Sequence, residues 1–149
     1  MTVDGANRTS ASAAQLILRS QIEQLQLVPP WIETLAAKQT IPKSTQYAMN
    51  LCLEEILSNI VRHGYGGSPD HVIVVSYQQA PDKSSILVID DAAPYFNPLA
   101  VEEAPIEQTL DGTRVGGLGI RLVRGFAKSL EYEPTPSGNR LTIGFATNQ

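Results

Sequence analysis

A carboxylate and an amide, Glu55 and Asn59, stand four residues apart in the segment LEEILSNIVRH. On an α-helix this spacing puts both side chains on one face, one turn apart. The small residues Ala48 and Cys52 fall on the same flank, which leaves room for a ligand against the helix. A pair of this kind is most often two solvated helix residues, so the surrounding elements and motifs decide whether it forms a site.

A long helix must position this pair. Its apolar residues recur at helical spacing and form one stripe that can face a sheet, made of Met49, Leu53, Ile56 and Ile60. Ser44 is a candidate N-cap, and glycines follow His63 at positions 64, 66 and 67. The pattern predicts a helix from Ser44 to about His63.

The other segments predict an α+β fold. In chain order they are a β-type run at Leu16–Leu18, a helix at Pro30–Gln39, β-rich runs at His71–Tyr77 and Ser85–Asp90, a long loop from Asp91 to Gly117, a helix at Leu118–Leu130, and a strand through Leu141, Ile143 and Phe145. A Pro-Asp turn between the two β-rich runs predicts an antiparallel hairpin. We expect a two-layer sandwich, with a mixed, mostly antiparallel sheet covered on one face by about three helices. Residues 1–12 are predicted to form a disordered tail and residues 13–149 one domain.

Composition excludes several classes of protein. Eleven Lys and Arg against fifteen Asp and Glu give a net charge of −4, which provides little electrostatic support for binding nucleic acid. Neither a leader nor a run of about 18 apolar residues is evident, so we expect a cytoplasmic protein that does not enter membranes. The single cysteine, Cys52, excludes an intrachain disulfide and is expected to be a small buried hydrophobe. The glycine patterns of Rossmann and P-loop phosphate sites are both missing.

Four motifs follow one another along the chain, LEEILSNIVRHGYG, VIDDAAPYFNPL, GGLGIRLV and SGNRLTI. In this order and spacing the chain resembles the histidine-kinase-like (GHKL, Bergerat-fold) ATPase superfamily. Within it, the chain is similar to the small anti-sigma-factor serine/threonine kinases that control bacterial sigma factors. The resemblance covers about residues 13–146 and implies the Bergerat ATP-binding fold, with ATP and Mg²⁺ as cofactors.

The resemblance implies roles for the helical pair. Asn59 matches the family asparagine whose side-chain oxygen binds Mg²⁺, and Glu55 matches the glutamate that orients or deprotonates the nucleophile. Mg²⁺ prefers hard oxygen ligands, and phosphoryl transfer depends mainly on a positioned acceptor, so these residue types suit the roles. His63 lies one further turn along the same side, but a packed or hydrogen-bonded histidine at a helix end is the more common situation.

The second motif implies an adenine site. The family pattern D-x-G-x-x-F-[DN]-P aligns best with Asp91, Ala93, Phe96, Asn97 and Pro98, although Asp90 competes for the first position. The aspartate accepts a hydrogen bond from the exocyclic amino group of adenine, where guanine has a carbonyl. Ala93 occupies the position of the usual glycine, so a positive φ there would strain the adenine site and weaken nucleotide binding.

The third motif implies a phosphate site. The run Gly116-Gly117-Leu118-Gly119 opens a helix, where backbone N–H groups can approach phosphate oxygens and the helix dipole assists. Gly117, Leu118 and Gly119 are therefore predicted to bind the nucleotide. The preceding loop, about Leu99–Val115, corresponds to the family's ATP lid, and its Arg114 is either a phosphate ligand or a solvated loop arginine.

The resemblance also implies partners. We expect a kinase that binds a sigma factor and phosphorylates a serine on an anti-anti-sigma (STAS-type) antagonist. The resemblance also suggests a homodimer. The alternative is a non-catalytic nucleotide-binding or protein-binding switch of the same fold, which the departure at Ala93 favours. Arg121, Arg124 and Lys128 are predicted to form a basic stripe on the last helix, which is either a solvated face or a surface for an acidic protein.

Overall fold

One layer of the fold is an antiparallel sheet. The structure, a computed structural model, describes residues 14–100 and 118–147. The strands are β1 (Gln15–Arg19), β2 (Val72–Gln79), β3 (Ser85–Asp91), β4 (Ser129–Thr135) and β5 (Gly138–Phe145). They lie in the order β1-β2-β3-β5-β4, and each described pairing is antiparallel. The predicted hairpin of β2 and β3 is confirmed.

Helices form the second layer. In the described part of the chain they are α1 (Val28–Lys38), α2 (Lys43–Asn59) and α3 (Leu118–Phe126), with 3₁₀ turns at Ile22–Leu27 and Pro98–Ala100. The predicted α+β two-layer sandwich is confirmed. A mixed sheet is expected from the sequence, whereas no parallel pair occurs between the described strands. Two consecutive helices separate β1 from β2. They bring the chain back to the edge of the sheet where β1 ends, so β2 starts there and runs antiparallel to β1.

The core lies between the sheet and the helices. The apolar stripe predicted for the long helix is buried, and each of its side chains is at most 1% exposed: Met49, Leu53, Ile56 and Ile60. Burial of each such side chain stabilises the fold by about 1.5–3 kcal/mol, which fixes α2 against the sheet. Cys52 is also buried, as expected, and Trp31 lies in the same core. None of the described helices is long and apolar enough to span a membrane.

The start of α2 differs from the prediction. Pro42 is the N-cap and no side-chain hydrogen bond caps the helix, so the assignment of Ser44 as N-cap is wrong. The ring of Pro42 holds its φ at −58°, and its carbonyl accepts a hydrogen bond from the Gln46 N–H at 3.0 Å. Proline is also tolerated inside the first turn of a helix, so α1 begins at Val28, before the predicted Pro30.

The end of α2 carries an irregularity next to the predicted site. Regular α geometry stops at Asn59, and a π turn continues over Ile60–Gly64. Gly66 and Gly67 then take positive φ angles of 61° and 84° and turn the chain toward β2. A π turn of this kind is rare and is frequent at functional sites, and here it follows Asn59 directly.

The predicted extent of α3 is wrong at its C-terminal end. The helix ends at Phe126, and Leu130 lies in β4, where it pairs with Ile143. The Lys128 N–H donates to the Gly144 carbonyl at 2.7 Å, so Lys128 is not on the helix and the predicted three-residue basic stripe does not form there. The helical spacing of Leu130 is overridden by strand pairing with a distant segment.

Candidate functional site

Two polar atoms at the end of α2 are buried without partners. Asn59 is 1% exposed, and its amide nitrogen makes no hydrogen bond in the described structure. Glu55 is half-buried, and its Oε2 is likewise buried and unpaired. An unsatisfied buried polar group costs about 1–3 kcal/mol, so two of them one helical turn apart are expected where a ligand supplies the missing contacts.

The first turn of α3 lies directly against Glu55. A Cβ added to Gly119 would overlap the Glu55 carboxylate and its Cγ, so only glycine allows this approach. Both residues line a cavity of about 290 Å³ between α2, α3 and the 3₁₀ turn at Ile22–Leu27. The N–H groups of a first helical turn have no partner within the helix and carry partial positive charge. The structure thus brings Glu55 to the positive end of α3.

Arg62 lines the same cavity and was missed by the sequence reasoning. It stands three residues after Asn59, one turn further along the chain. That spacing is the signal that could have identified it. Its guanidinium adds a cation on the side of α2 that carries the carboxylate of Glu55.

Asp91 lies at the end of β3, on the face that the helices cover, and is 8% exposed. Its Oδ1 accepts hydrogen bonds from the Ala93 N–H at 2.9 Å and from the Asn139 Nδ2 at 2.9 Å. Burial raises the pKa of Asp91 above its usual range, the two hydrogen bonds lower it in part, and the nearby charge of Asp90 raises it further. The carboxylate is therefore desolvated but oriented by the protein.

Asp90 is in a different environment. It points to the uncovered face of the sheet, and its Oδ1 accepts a hydrogen bond from the Arg140 guanidinium at 2.7 Å. Both side chains of this ion pair are partly exposed, so the pair contributes little to stability. The two adjacent aspartates therefore have different partners and face opposite sides of the sheet.

Two contacts join the end of α2 to the turn that follows Asp91. The Tyr65 hydroxyl donates to the Val72 carbonyl at 2.9 Å and accepts from the Ala92 N–H at 2.7 Å. The Phe96 ring packs over Gly64, where an added Cβ would come within 2.9 Å of it. The π turn after Asn59 and the turn after Asp91 are thereby held together, which sequence reasoning did not predict.

Ala93 is buried and unstrained. Its exposure is 2%, and the one non-glycine residue with positive φ among those described is Lys83, in the β2–β3 turn. The strain that a positive φ at Ala93 would cause is thus absent. An alanine at the glycine position of the motif is compatible with this backbone.

The structure separates some of the predicted residues. Asp91 lines a cavity of about 500 Å³ at the β4–β5 turn, distinct from the cavity beside Glu55. His63 is exposed, with its ring centroid 6.5 Å from that of Phe96. Leu118 is the first residue of α3. Arg114, Gly117 and most of the predicted lid lie outside the described residues, as does the predicted tail.

The fold resembles that of solved histidine kinase structures. The structure is similar to the histidine kinase domain from the Erythrobacter litoralis EL346 blue-light activated histidine kinase, with a TM-score of 0.52 at 14% identity over 82% of this chain. A second structure of that blue-light activated histidine kinase gives a TM-score of 0.50 at 18% identity over 73% of this chain. The chain spans 62% and 32% of those two proteins.

The family follows from the sequence match. The family described as histidine kinase-like ATPase domain matches residues 18–145, and the chain belongs to it. The chain is also 29% identical over 113 residues to the serine/threonine-protein kinase BtrW of Bordetella bronchiseptica, which covers 76% of this chain and 79% of that protein. The resemblance read from the four motifs is confirmed at the level of the family, and membership implies that the ligand is ATP.

Proposed function

We propose that this protein is an ATP-dependent serine/threonine kinase of the anti-sigma-factor type. It binds a sigma factor and phosphorylates a serine on an anti-anti-sigma (STAS-type) antagonist. The observation that carries the proposal is the pair of buried, unpaired atoms one turn apart on α2, Glu55 Oε2 and Asn59 Nδ2, with Gly119 in the first turn of α3 lying against Glu55. The likeness to a relative named as a serine/threonine kinase supports the same reaction.

Asn59 is the proposed Mg²⁺ ligand. The described residues contain no group of three His, Cys, Asp or Glu that could hold a metal by themselves. The Asn59 side-chain oxygen is the type of ligand taken by an ion that keeps several waters and takes its other oxygens from nucleotide phosphates. The buried, unpaired Nδ2 is a donor, and it suits a phosphate oxygen of the same nucleotide. When bound, Mg²⁺ neutralises charge on the β- and γ-phosphates.

Glu55 is the proposed catalytic residue. Its buried Oε2 accepts the proton of the serine hydroxyl as the serine Oγ forms a bond to the γ-phosphorus of ATP. The bond between that phosphorus and the bridging oxygen breaks, and ADP leaves. The backbone of Gly117, Leu118 and Gly119 is proposed to bind the phosphates, with Arg114 and Arg62 as candidate cations.

Asp91 is the proposed adenine-reading residue, with Ala93 in the wall of the same subsite. Its carboxylate is buried and oriented, whereas that of Asp90 is engaged with Arg140 on the open face. An acceptor at this position favours the amino group of adenine and opposes the carbonyl of guanine.

Phosphate transfer from labelled ATP to a STAS-domain partner tests the proposal. We expect Glu55→Gln to lower the transfer rate by about 100-fold or more, the range for a general base, with ATP affinity little changed. Glu33→Gln is the matched control, because Glu33 is exposed on α1 and loses the same charge. Equal transfer rates in the two variants would contradict the role of Glu55.

The alternative is a non-catalytic switch, which the alanine in place of the family glycine favoured. The backbone at Ala93 is unstrained, so this departure no longer supports the alternative. ATP binding without phosphate transfer to any STAS-domain partner would support that alternative. Binding of a sigma factor, formation of a homodimer and a cytoplasmic location stay predictions. Light scattering at increasing protein concentration checks whether the homodimer forms.

A further inference from the structure

Asn139 is the most fully hydrogen-bonded side chain near the proposed adenine subsite. It lies in β5, directly opposite Asp91 in β3, and is 2% exposed. Its Nδ2 donates to the Asp91 Oδ1 at 2.9 Å and to the carbonyls of Ala93 and Pro94 at 3.2 Å each. Its Oδ1 accepts from the Phe96 N–H at 3.1 Å and from the Tyr132 hydroxyl. One amide thus contacts both Asp91 and the turn that follows it.

The backbone geometry explains why the amide reaches so far. A Cβ added to Gly138, the preceding residue, would overlap the Asp91 carbonyl and come within 2.7 Å of the Ala92 Cα. The start of β5 therefore approaches the end of β3 more closely than a side chain at position 138 would allow. From there the Asn139 amide contacts the backbone of Ala93, Pro94 and Phe96, which fixes the turn.

The contacts also distinguish the two oxygens of Asp91. Both hydrogen bonds that the described residues make to this carboxylate end on Oδ1. Oδ1 is thereby satisfied by the protein, from the Ala93 N–H on one side and the Asn139 amide on the other. Oδ2 is the oxygen left to accept a hydrogen bond from a ligand.

We propose that Asn139 is a positioning residue for adenine recognition, which holds Asp91 Oδ1 and the turn at residues 93–96 so that Oδ2 faces the exocyclic amino group of the base. The inference rests on the proposed function, because it requires that Asp91 reads adenine. Asn139 lies 48 positions from Asp91 in the chain and does not itself contact the nucleotide. Its replacement should nevertheless change the selectivity for ATP over GTP.

The electrostatics of Asp91 agree with this role. Its pKa is raised by burial, and the hydrogen bond from Asn139 opposes that rise. Tyr65 after the π turn and Tyr132 in β4 are titratable groups near Asp91 on its own side of the sheet, and Asp90 in β3 acts on it through its charge from the other face. Asn139 therefore favours the ionised carboxylate, which is the stronger acceptor for the amino group of adenine.

Asn139→Leu tests the proposal, because leucine has a similar volume and no hydrogen-bonding groups. Loss of a hydrogen bond to a charged group predicts ATP binding weaker by roughly ten- to hundred-fold. The preference for ATP over GTP should fall, and the pH midpoint of ATP binding should move upward, neither of which a merely structural role would produce. Calorimetric titration with ATP and GTP, at several pH values, measures all of these.

Two further variants keep the test decisive. Tyr132→Phe removes only one bond to Asn139 and should weaken ATP binding by roughly two- to ten-fold, which protects the test if Asn139→Leu does not fold. Arg140→Gln is the control, since Arg140 neighbours Asn139 but binds Asp90 on the other face.

The outcomes separate the two proposals. If Asp91→Asn abolishes ATP selectivity while Asn139→Leu and Tyr132→Phe bind both nucleotides like the wild type, the role of Asn139 is overturned and that of Asp91 stands. If the wild type binds neither nucleotide, the proposed function and this inference both fail.

Discussion

Replacement of Gly119 by alanine probes the contact on which the proposed site depends. The added methyl group would overlap the Glu55 carboxylate and Cγ, so either the carboxylate must rotate away or the first turn of α3 must move. Insertion of a methyl group into such a contact typically costs about 1–3 kcal/mol. Alanine also stabilises a helix relative to glycine by about 0.8–1 kcal/mol, which partly offsets the cost and must be cancelled by a control.

Gly125→Ala provides that control. Gly125 lies in the same helix, and nothing lies within 4 Å of an added Cβ. Because both variants gain the same helix propensity, the difference between them isolates the overlap with Glu55. We expect Gly119→Ala to be less stable than Gly125→Ala by about 1–3 kcal/mol, or roughly 2–12 °C in Tm for a chain of this size.

Urea unfolding of the nucleotide-free protein, followed by the fluorescence of the single tryptophan, measures this difference. Trp31 is buried and reports loss of the core. Glu55→Ala should remove the penalty of Gly119→Ala, since it deletes the atoms that the methyl group would overlap. A coupling free energy close to zero between the two substitutions would refute the contact between α3 and Glu55.

Three further predictions concern Asp91, Cys52 and Tyr65. Because the pKa of Asp91 is raised, ATP affinity should increase as the pH rises through that pKa, and Asp91→Asn should remove this dependence. The free energy of unfolding should fall as the pH rises from the usual pKa of an aspartate to the raised pKa of Asp91, because the folded state holds the proton more tightly than the unfolded state. Burial raises the pKa of the Cys52 thiol to about 12, so alkylation at pH 8 should be slow in the native protein and fast in urea, as mass spectrometry would show. Tyr65→Phe removes the bonds to Ala92 and Val72 and should lower the free energy of unfolding by about 1–3 kcal/mol, and an unchanged urea midpoint would contradict the link between the two turns.

Local patterns predicted the parts of the molecule that depend on neighbours in sequence. The apolar stripe of α2 and the one-turn spacing of Glu55 and Asn59 follow from helical periodicity, and the structure has both on one long helix. The α2 cap was wrong because Pro42, rather than the side chain of Ser44, begins the helix.

Contacts between distant segments account for what the sequence did not predict. The end of α3 was misplaced because Leu130 matches the helical period but pairs with Ile143 across the sheet. The links from Asn139 to Asp91 and from Tyr65 to Ala92 join residues 48 and 27 positions apart, and no periodicity records such pairs. Asp90 and Asp91 could be ranked from the motif, but their different partners became visible only in the sheet.

The most direct test of the central claim is a calorimetric titration with ATP, with and without Mg²⁺, of the wild type and Asn59→Ala. Asn59→Ala removes the unpaired Nδ2, and this gain offsets part of the packing lost at a buried position, so urea unfolding of both proteins first checks that the variant is folded. We predict that Mg²⁺ strengthens ATP binding in the wild type and has little effect in the variant. An equal effect of Mg²⁺ on both proteins, or no binding of ATP by the wild type, would contradict the assignment of this helix end as the site of phosphoryl transfer.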